Sequence, residues 1–210
     1  MLLQSSPASA RTGALEPPAA YFAALAQVHQ RLDFVAVSTL LQHLAAVCDR
    51  NGTLYTLGNG GSAALASHWA CDYSKGTSDL IPQRRMRVVS LADNAALVTA
   101  WANDVAYDQI FAQQLEGVLT ARDAVLAISG SGNSPNVLCA LKAARRHGAD
   151  CLGLTGFQGG KMAALCDAMV IVPSDSMQVI EDVHVSLCHA MFLSLRRHLE
   201  PKSAAAAGGR

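Results

Sequence analysis

Apolar residues recur every three to four positions between residues 19 and 49, which is the period of an amphipathic helix. This pattern predicts one or two helices that end before Asn51 and Gly52, a pair that favours a turn. Beyond the turn, the pattern changes to short apolar runs separated by longer helical segments. The apolar runs predict five strands, at residues 53–57, 87–91, 124–128, 151–155 and 168–172.

Helical periodicity fills the intervals between these strands. The predicted helices lie at residues 63–75, 95–102, 107–119, 135–147, 161–166 and 177–199. Short apolar strands that alternate with helices are typical of a parallel sheet that is buried on both faces. We therefore predict an α/β fold in one domain over residues 19–200. It is a flavodoxin-like three-layer α/β/α sandwich with a five-stranded parallel sheet, plus an N-terminal helical segment.

The two ends of the chain lack this periodicity. Residues 1–18 contain a single Arg among Ala, Ser and Pro, without the basic start and apolar run of a secretory signal. Residues 201–210 are an Ala/Gly tail. We expect a flexible N-terminus and a disordered tail. No run of residues approaches the roughly 18 apolar positions that a membrane span requires, so we expect no association with a membrane.

Composition narrows the partners that the protein can have. Sixteen basic residues balance sixteen acidic ones, so no broad electrostatic field attracts nucleic acid or an anionic membrane. Hydrophobic residues make up 51% of the chain and charged residues 15%, which leaves apolar surface for self-association. We therefore expect a homo-oligomer. The six cysteines are scattered without a CxxC pair, which is typical of a reduced, cytoplasmic protein.

Two glycine-rich loops each follow a predicted strand and precede a helix. Ligands of parallel sheets bind at the carboxyl ends of strands, where helix N-termini attract anions. A glycine-rich turn is often only a tight turn, but three serines in the second loop add hydroxyl groups suited to phosphate oxygens. Neither loop is a P-loop or has the GxGxxG spacing. The candidate phosphate-binding residues are Asn59, Gly60, Gly61, Ser62, Ser129, Gly130, Ser131 and Ser134.

Two groups of titratable residues could move protons. His68 and Asp72 lie one helical turn apart, on the same face of a predicted helix. A histidine bonded to a neighbour within a helix is the structural alternative. The last predicted helix carries the second group, in which the acids could simply favour the helix N-terminus. Its members are Glu181, Asp182, His184 and His189.

Four segments occur in the order of a known family. They are GNGGSA at 58–63, AISGSGNSPNV at 127–137, GLTGFQGGKMA at 153–163 and IEDVH at 180–184. With them, residues 54–199 resemble the sugar isomerase (SIS) family, most closely its phosphoheptose isomerase branch. The resemblance implies a five-stranded parallel sandwich that forms dimers or tetramers with active sites between subunits. It also implies interconversion of sedoheptulose 7-phosphate and glycero-manno-heptose 7-phosphate through an enediol.

The resemblance assigns roles to individual residues. It implies that Asp72 and His189 act as base and acid, and that Asn103, Asp104 and Glu181 contact the substrate. A helix-terminating turn is the alternative for the Asn103-Asp104 pair. The resemblance also implies a zinc cofactor, whose ligands would be His68, Asp72, Glu181 and His189.

This chain departs from the family at two of these positions and at one further position, Gly76. The family usually carries Glu where this chain has Asp72, and Gln where it has Glu181; both keep an oxygen ligand for zinc. An aspartate is shorter by one methylene, which moves a base by about an ångström and matters for catalysis. Gly76 replaces a typical Arg, which puts the identity of the sugar phosphate in question.

The spacing on the last helix constrains the metal site. Glu181 and His189 are eight residues apart, hence about 12 Å along one helix axis and roughly 80° around it. We expect one of them to come from a neighbouring subunit, or only one to bind the metal at a time.

Two alternatives to a phosphoheptose isomerase stay open. One is a non-catalytic SIS module that binds a phosphosugar or a protein partner through the same pocket. The other is an isomerase for a different sugar phosphate. Bound zinc with turnover of a heptose phosphate would separate these readings.

Overall fold

A computed structural model describes residues 17–200, which contain seven α-helices and five strands. The helices are α1 Pro18–Gln30, α2 Phe34–Asp49, α3 Gly61–Gly76, α4 Ala95–Asp104, α5 Ala112–Leu115, α6 Pro135–Arg146 and α7 Met177–Leu199. The strands are β1 Thr53–Gly58, β2 Arg87–Ser90, β3 Ala124–Ile128, β4 Asp150–Thr155 and β5 Ala168–Ile171. The predicted disordered tail and all but two residues of the predicted flexible N-terminus lie outside the described residues, so these predictions stay open.

All five strands are parallel, in the order β2-β1-β3-β4-β5. The chain runs from β1 outward to β2 and then returns to place β3 on the other side of β1. The sheet therefore has a topological switch point between β1 and β3, which is where open α/β sheets form a ligand crevice. The two glycine-rich loops follow these two strands. The structure confirms the predicted five-stranded parallel sandwich.

Side chains of β3 show how the sheet is buried on both faces. Leu126 and Ile128 pack with helices α2, α3 and α7 on one face, whereas Val125 and Ala127 pack with α6 on the other. The alternation follows from the two-residue period of a strand. All five residues of β3 are buried because it is the central strand of the sheet.

Two predicted helices are replaced by shorter turns. Residues 107–119 form a 3₁₀ turn at Tyr107–Gln109 followed by the short α5. The helical conformation ends after Leu115, because Glu116 has an extended backbone and Gly117 has a φ of +78°. The predicted helix 161–166 is likewise a 3₁₀ turn, at Gly160–Ala164.

The first two helices precede the sheet and pack on the face that carries α7. Within residues 17–200, no single helix has the length and apolarity needed to cross a membrane. The bent pair of α1 and α2 meets those criteria only when the two helices are taken together.

A buried histidine ties α7 to the sheet. His184 is fully buried, and its Nε2 donates a hydrogen bond of 3.1 Å to the carbonyl oxygen of Thr155 at the end of β4. The Thr155 hydroxyl in turn donates to the carbonyl oxygen of Gly130, in the second glycine-rich loop. Burial lowers the pKa of His184 to about 4, so the ring is neutral at pH 7. His184 thus supports the fold and lies away from the titratable cluster described below.

Acidification should therefore destabilise the protein through His184. Its pKa rises from about 4 in the folded chain to its ordinary value on unfolding. The contribution of the neutral His184 ring to the unfolding free energy is fully present above the pKa of the unfolded state. It falls by about 3 kcal/mol as the pH drops from 6.5 to 4. Urea unfolding at several pH values measures this slope. The slope should flatten in His184→Gln and persist in His198→Gln, which changes an exposed histidine on the same helix; an equal slope in both variants would contradict the assignment.

Candidate active site

The two glycine-rich loops face each other across the switch point. In the first, Gly60 has a φ of +55° immediately before α3 begins at Gly61. In the second, Gly132 has a φ of +65°, and a Cβ there would lie 2.2 Å from the carbonyl oxygen of Gly159. Both positions require glycine, since the left-handed region is unfavourable for residues with a Cβ. The glycines therefore shape the loops so that the N-termini of α3 and α6 open into one crevice.

A cavity of about 290 Å³ lies between these loops and the start of α7. Among residues 17–200, no Lys, Arg or His side chain lines it. An anion in this cavity would be held by backbone N–H groups, hydroxyls and helix dipoles. The structure brings all eight predicted phosphate-binding residues to this cavity, together with Ile128, Met177 and Glu181.

The serine residues Ser62, Ser129, Ser131 and Ser134 line the cavity. Ser129 and Ser62 are buried, and the Ser129 and Ser134 oxygens are 3.3 Å apart. Ser134 occupies the N-cap position of α6, but its hydroxyl makes no capping bond there. Ser62 lies within the first turn of α3, which begins at Gly61.

Three titratable side chains meet on the neighbouring helices α3 and α7. The Nε2 atoms of His68 and His189 are 2.9 Å apart, and Asp72 Oδ2 lies 3.0 Å from the first and 3.7 Å from the second. The side chains are 43%, 51% and 30% exposed, respectively. This His68–Asp72–His189 cluster is therefore accessible from one side.

The cluster has the dimensions of a metal site. Zinc binds nitrogen and oxygen at about 2.0–2.1 Å, so tetrahedral geometry places ligand atoms about 3.3 Å apart. The three distances within the cluster scatter around that value. Two imidazole nitrogens and one carboxylate oxygen also form a donor set that suits zinc. These residues fit a metal ion.

Cys188 is a neighbour of the cluster that the sequence did not single out. Its sulfur lies within 4.8 Å of the ligand atoms of His68 and Asp72. The residue is fully buried, and burial and the Asp72 charge raise the pKa of its thiol. Its place immediately before His189 was the one available signal in the sequence.

Glu181 lies apart from this cluster within the chain. Its carboxylate packs against the first turn of α3, where a Cβ on Gly61 would be 2.8 Å from Glu181 Oε1. His189 is two helical turns further along α7. In this arrangement Glu181 faces the cavity between the glycine-rich loops, at the positive end of the α3 dipole.

Asn103 and Asp104 end helix α4 on the exposed surface. Asn103 Nδ2 donates a 2.8 Å hydrogen bond to Asp104 Oδ1, so the two side chains bond to each other. Neither residue lines the cavity between the glycine-rich loops. A single copy of the described chain therefore does not bring this pair to the other candidate residues.

Gly76, the third departure, is covered by an aromatic side chain. A Cβ at this position would lie 2.3 Å from the Phe192 ring. That ring packs edge-on against Tyr73, with centroids 5.3 Å apart. Phe192 thus fills the space that a larger residue at position 76 would need.

Asn136 is a residue near the site that the sequence analysis missed. It follows Pro135 in the first turn of α6, is buried, and exchanges two hydrogen bonds with Asn59 of the first loop. A buried amide directly behind a serine-rich loop was the signal that could have revealed it.

Comparison with known proteins agrees with this geometry. A family model described as SIS domain matches residues 20–156. A phosphoheptose isomerase of Desulfovibrio desulfuricans is 39% identical over 162 residues, which are 75% of this chain and 76% of that protein. One from Helicobacter pylori is 35% identical over 160 residues, covering 76% and 82% of the two chains.

Solved structures show the same architecture. The phosphoheptose isomerase GmhA of Neisseria gonorrhoeae superposes with a TM-score of 0.79 at 30% identity, covering 85% of this chain and 96% of that one. A phosphoheptose isomerase from Francisella tularensis shares the fold with a TM-score of 0.77 at 24% identity, again covering 85% and 96%. The chain belongs to the SIS-domain family and, within it, to the phosphoheptose isomerase branch.

Proposed function

We propose that this protein is an aldose–ketose isomerase that interconverts sedoheptulose 7-phosphate and glycero-manno-heptose 7-phosphate. The observation that carries the proposal is that the phosphate cavity and the His68–Asp72–His189 cluster share one pair of helices. Contacts between α3 and α7 advance together from Gly61 with Glu181 to His68 with His189, so the helices run parallel. The relatives compared above are phosphoheptose isomerases.

The separation of the two ends of the site favours a long sugar phosphate. Gly61 at the cavity and His68 at the cluster are seven residues apart on α3, which is about 10 Å along the helix axis. An extended seven-carbon sugar phosphate can reach from one end to the other. Its phosphate would bind the loops, and its first two carbons would lie at the cluster.

The proposed reaction moves a proton between those two carbons through an enediol. Asp72 Oδ2 faces both histidines, while Oδ1 has no hydrogen-bond partner among the described residues. We assign Asp72 the removal of the proton from one carbon and its return to the next, and His189 the proton on the sugar oxygen. The loops hold the phosphate and so orient the reacting carbons.

We further propose that the cluster binds zinc through His68, Asp72 and His189, and that Glu181, two helical turns away, does not bind the ion at the same time. A bound zinc ion would polarise the sugar carbonyl and stabilise the negative charge on its oxygen. Protein groups would still bind, orient and exchange the protons.

A homo-oligomer, a dimer or a tetramer, is part of this proposal. Val185 and Leu193 lie one turn before and one turn after His189, and they are 38% and 56% exposed. An apolar stripe beside a solvent-accessible cluster favours cover by a neighbouring subunit. Such a neighbour could also contribute Asn103 and Asp104 as substrate contacts. We place the reaction in the cytoplasm, which agrees with six unpaired cysteine thiols.

A panel of five-, six- and seven-carbon ketose phosphates tests the substrate. We expect the highest kcat/KM for sedoheptulose 7-phosphate, because only that chain spans the site. Product formation by NMR measures turnover, with and without a chelator, and with zinc restored. Binding without turnover in every arm would favour a non-catalytic SIS module, and preference for a shorter sugar would favour another isomerase.

Replacement of His189 tests the cluster. His189→Gln should lower kcat at least 100-fold and reduce the bound zinc, since it removes both the proposed acid and a ligand. Elemental analysis and steady-state kinetics are the measurements. The matched control is His198→Gln, an exposed histidine on the same helix, which should keep both properties. Full activity in His189→Gln would refute the assignment.

Replacement of Glu181 tests its charge at the phosphate cavity. Glu181→Gln should lower KM for the sugar phosphate about five-fold, because it removes roughly 1 kcal/mol of repulsion between like charges. Kinetics at saturating zinc keep metal affinity out of the comparison. Asp182→Asn removes the neighbouring charge, which bonds to Tyr21, and should leave KM unchanged. An unchanged or higher KM in Glu181→Gln would oppose this account.

A further inference from the structure

The two loops of the phosphate cavity are joined by a reciprocal pair of amide side chains. Asn59 Nδ2 donates to Asn136 Oδ1 at 2.9 Å, and Asn136 Nδ2 donates to Asn59 Oδ1 at 2.8 Å. Asn136 Oδ1 also accepts from the backbone N–H of Val137 at 2.9 Å. These bonds fix the orientation of the Asn136 amide, which is 2% exposed.

The Asn59 side chain takes part in a third hydrogen bond, whose donor lies outside the two loops. The Tyr107 hydroxyl donates to Asn59 Oδ1 at 3.2 Å. The oxygen of Asn59 therefore accepts twice, while its nitrogen donates to Asn136. This arrangement leaves one favourable orientation for the Asn59 side chain and restrains the backbone that carries it.

The Asn59–Asn136 pair lies just beyond the point where the hydrogen bonds between strands β1 and β3 end. The ladder between β1 and β3 ends at the pairing of Gly58 with Ile128. Asn59 is the next residue after β1, and Asn136 is in the first turn of α6, beyond the second loop. The amide pair thus spans the crevice immediately above the last strand pairing.

We propose that Asn136 is a positioning residue, which sets the spacing of the two phosphate-binding loops by holding Asn59. This inference rests on the proposed function of the cavity as a phosphate site. Asn59 lines the cavity and Asn136 does not, so Asn136 acts through its partner. Because the described part of the chain contributes no cationic side chain to the cavity, its affinity for phosphate depends on how accurately the backbone N–H groups of both loops are placed.

The inference predicts a change in KM rather than in kcat. The Asn59–Asn136 pair lies at the phosphate end of α3, and the His68–Asp72–His189 cluster lies about two turns away. Asn136→Ala should raise KM for sedoheptulose 7-phosphate about ten-fold and leave kcat within about two-fold. Asn136→Leu keeps the volume of the side chain and should behave alike, which provides a second variant if the first folds poorly.

A double-mutant cycle separates positioning from general stability. If Asn136 acts only through Asn59, the double variant Asn59→Ala/Asn136→Ala should have the KM of the more impaired single variant. Asp123→Asn is the matched control, since Asp123 is buried and accepts from the N–H groups of Thr53 and Thr120 at the opposite end of the sheet. It should lower the unfolding free energy but not alter KM.

Inorganic phosphate provides a readout that does not require turnover. Phosphate should raise the Tm of the wild-type protein and of Asp123→Asn, and raise it less in the Asn136 variants. If the wild-type protein has no isomerase activity but phosphate still raises its Tm more than that of the Asn136 variants, the positioning role is supported and the proposed reaction is not. Equal stabilisation of all variants, additive effects on KM, or a KM increase in Asp123→Asn would overturn the inference. A wild-type protein with neither turnover nor phosphate stabilisation would overturn both proposals.

Discussion

The site depends on the parallel pairing of β1 with β3. Successive strands are added on one side of β1 before this point and on its other side after it. Helix α3 leaves this point on one face, where Leu65 and Trp69 join the core. Helix α6 leaves on the other face, where Val137 and Leu141 are buried. Both helix N-termini are consequently directed into one crevice, and their dipoles can attract an anion without any cationic side chain.

Parallel packing of α3 and α7 extends the site away from that crevice. Trp69 stacks on Tyr73 with ring centroids 4.5 Å apart, and the Tyr73 hydroxyl donates to the carbonyl oxygen of Cys188 at 3.0 Å. These buried contacts hold His68 and Asp72 against His189. His184 anchors the same helix to β4 and, through Thr155, to the second loop. One helix therefore joins the fold, the loops and the cluster.

The departures from the usual family residues have local structural partners. Phe192 fills the space beside Gly76, and Arg196 donates to the Gly76 carbonyl oxygen at the end of α3. A two-pronged pairing with Asp79, at 2.7 Å for each bond, holds the Arg196 guanidinium. The hydrogen bonds from Arg196 lower the pKa of Asp79 to about 2. The end of α3 is therefore completed by α7 rather than by a side chain at position 76.

The sequence alone determined the strands, most helices and both glycine-rich loops, because these follow from local periodicity and from glycines that the turns require. The i, i+4 placement of His68 and Asp72 was local in the same sense. Tertiary structure decided which distant groups meet. It placed His189 in the cluster and Glu181 beside Gly61. Both residues are on α7, but they contact α3 at positions two turns apart.

Packing also decided features that no local pattern contained. The segment predicted as a helix at 107–119 forms a 3₁₀ turn and the short α5, around the buried residues Ile110, Phe111 and Ala112. The pairing of Asn59 with Asn136 joins residues 77 positions apart, and only the adjacency of β1 and β3 brings them together. A sequence specifies local conformation through short-range sterics and hydrogen bonding, whereas contacts between distant side chains exist only once the sheet has set their positions.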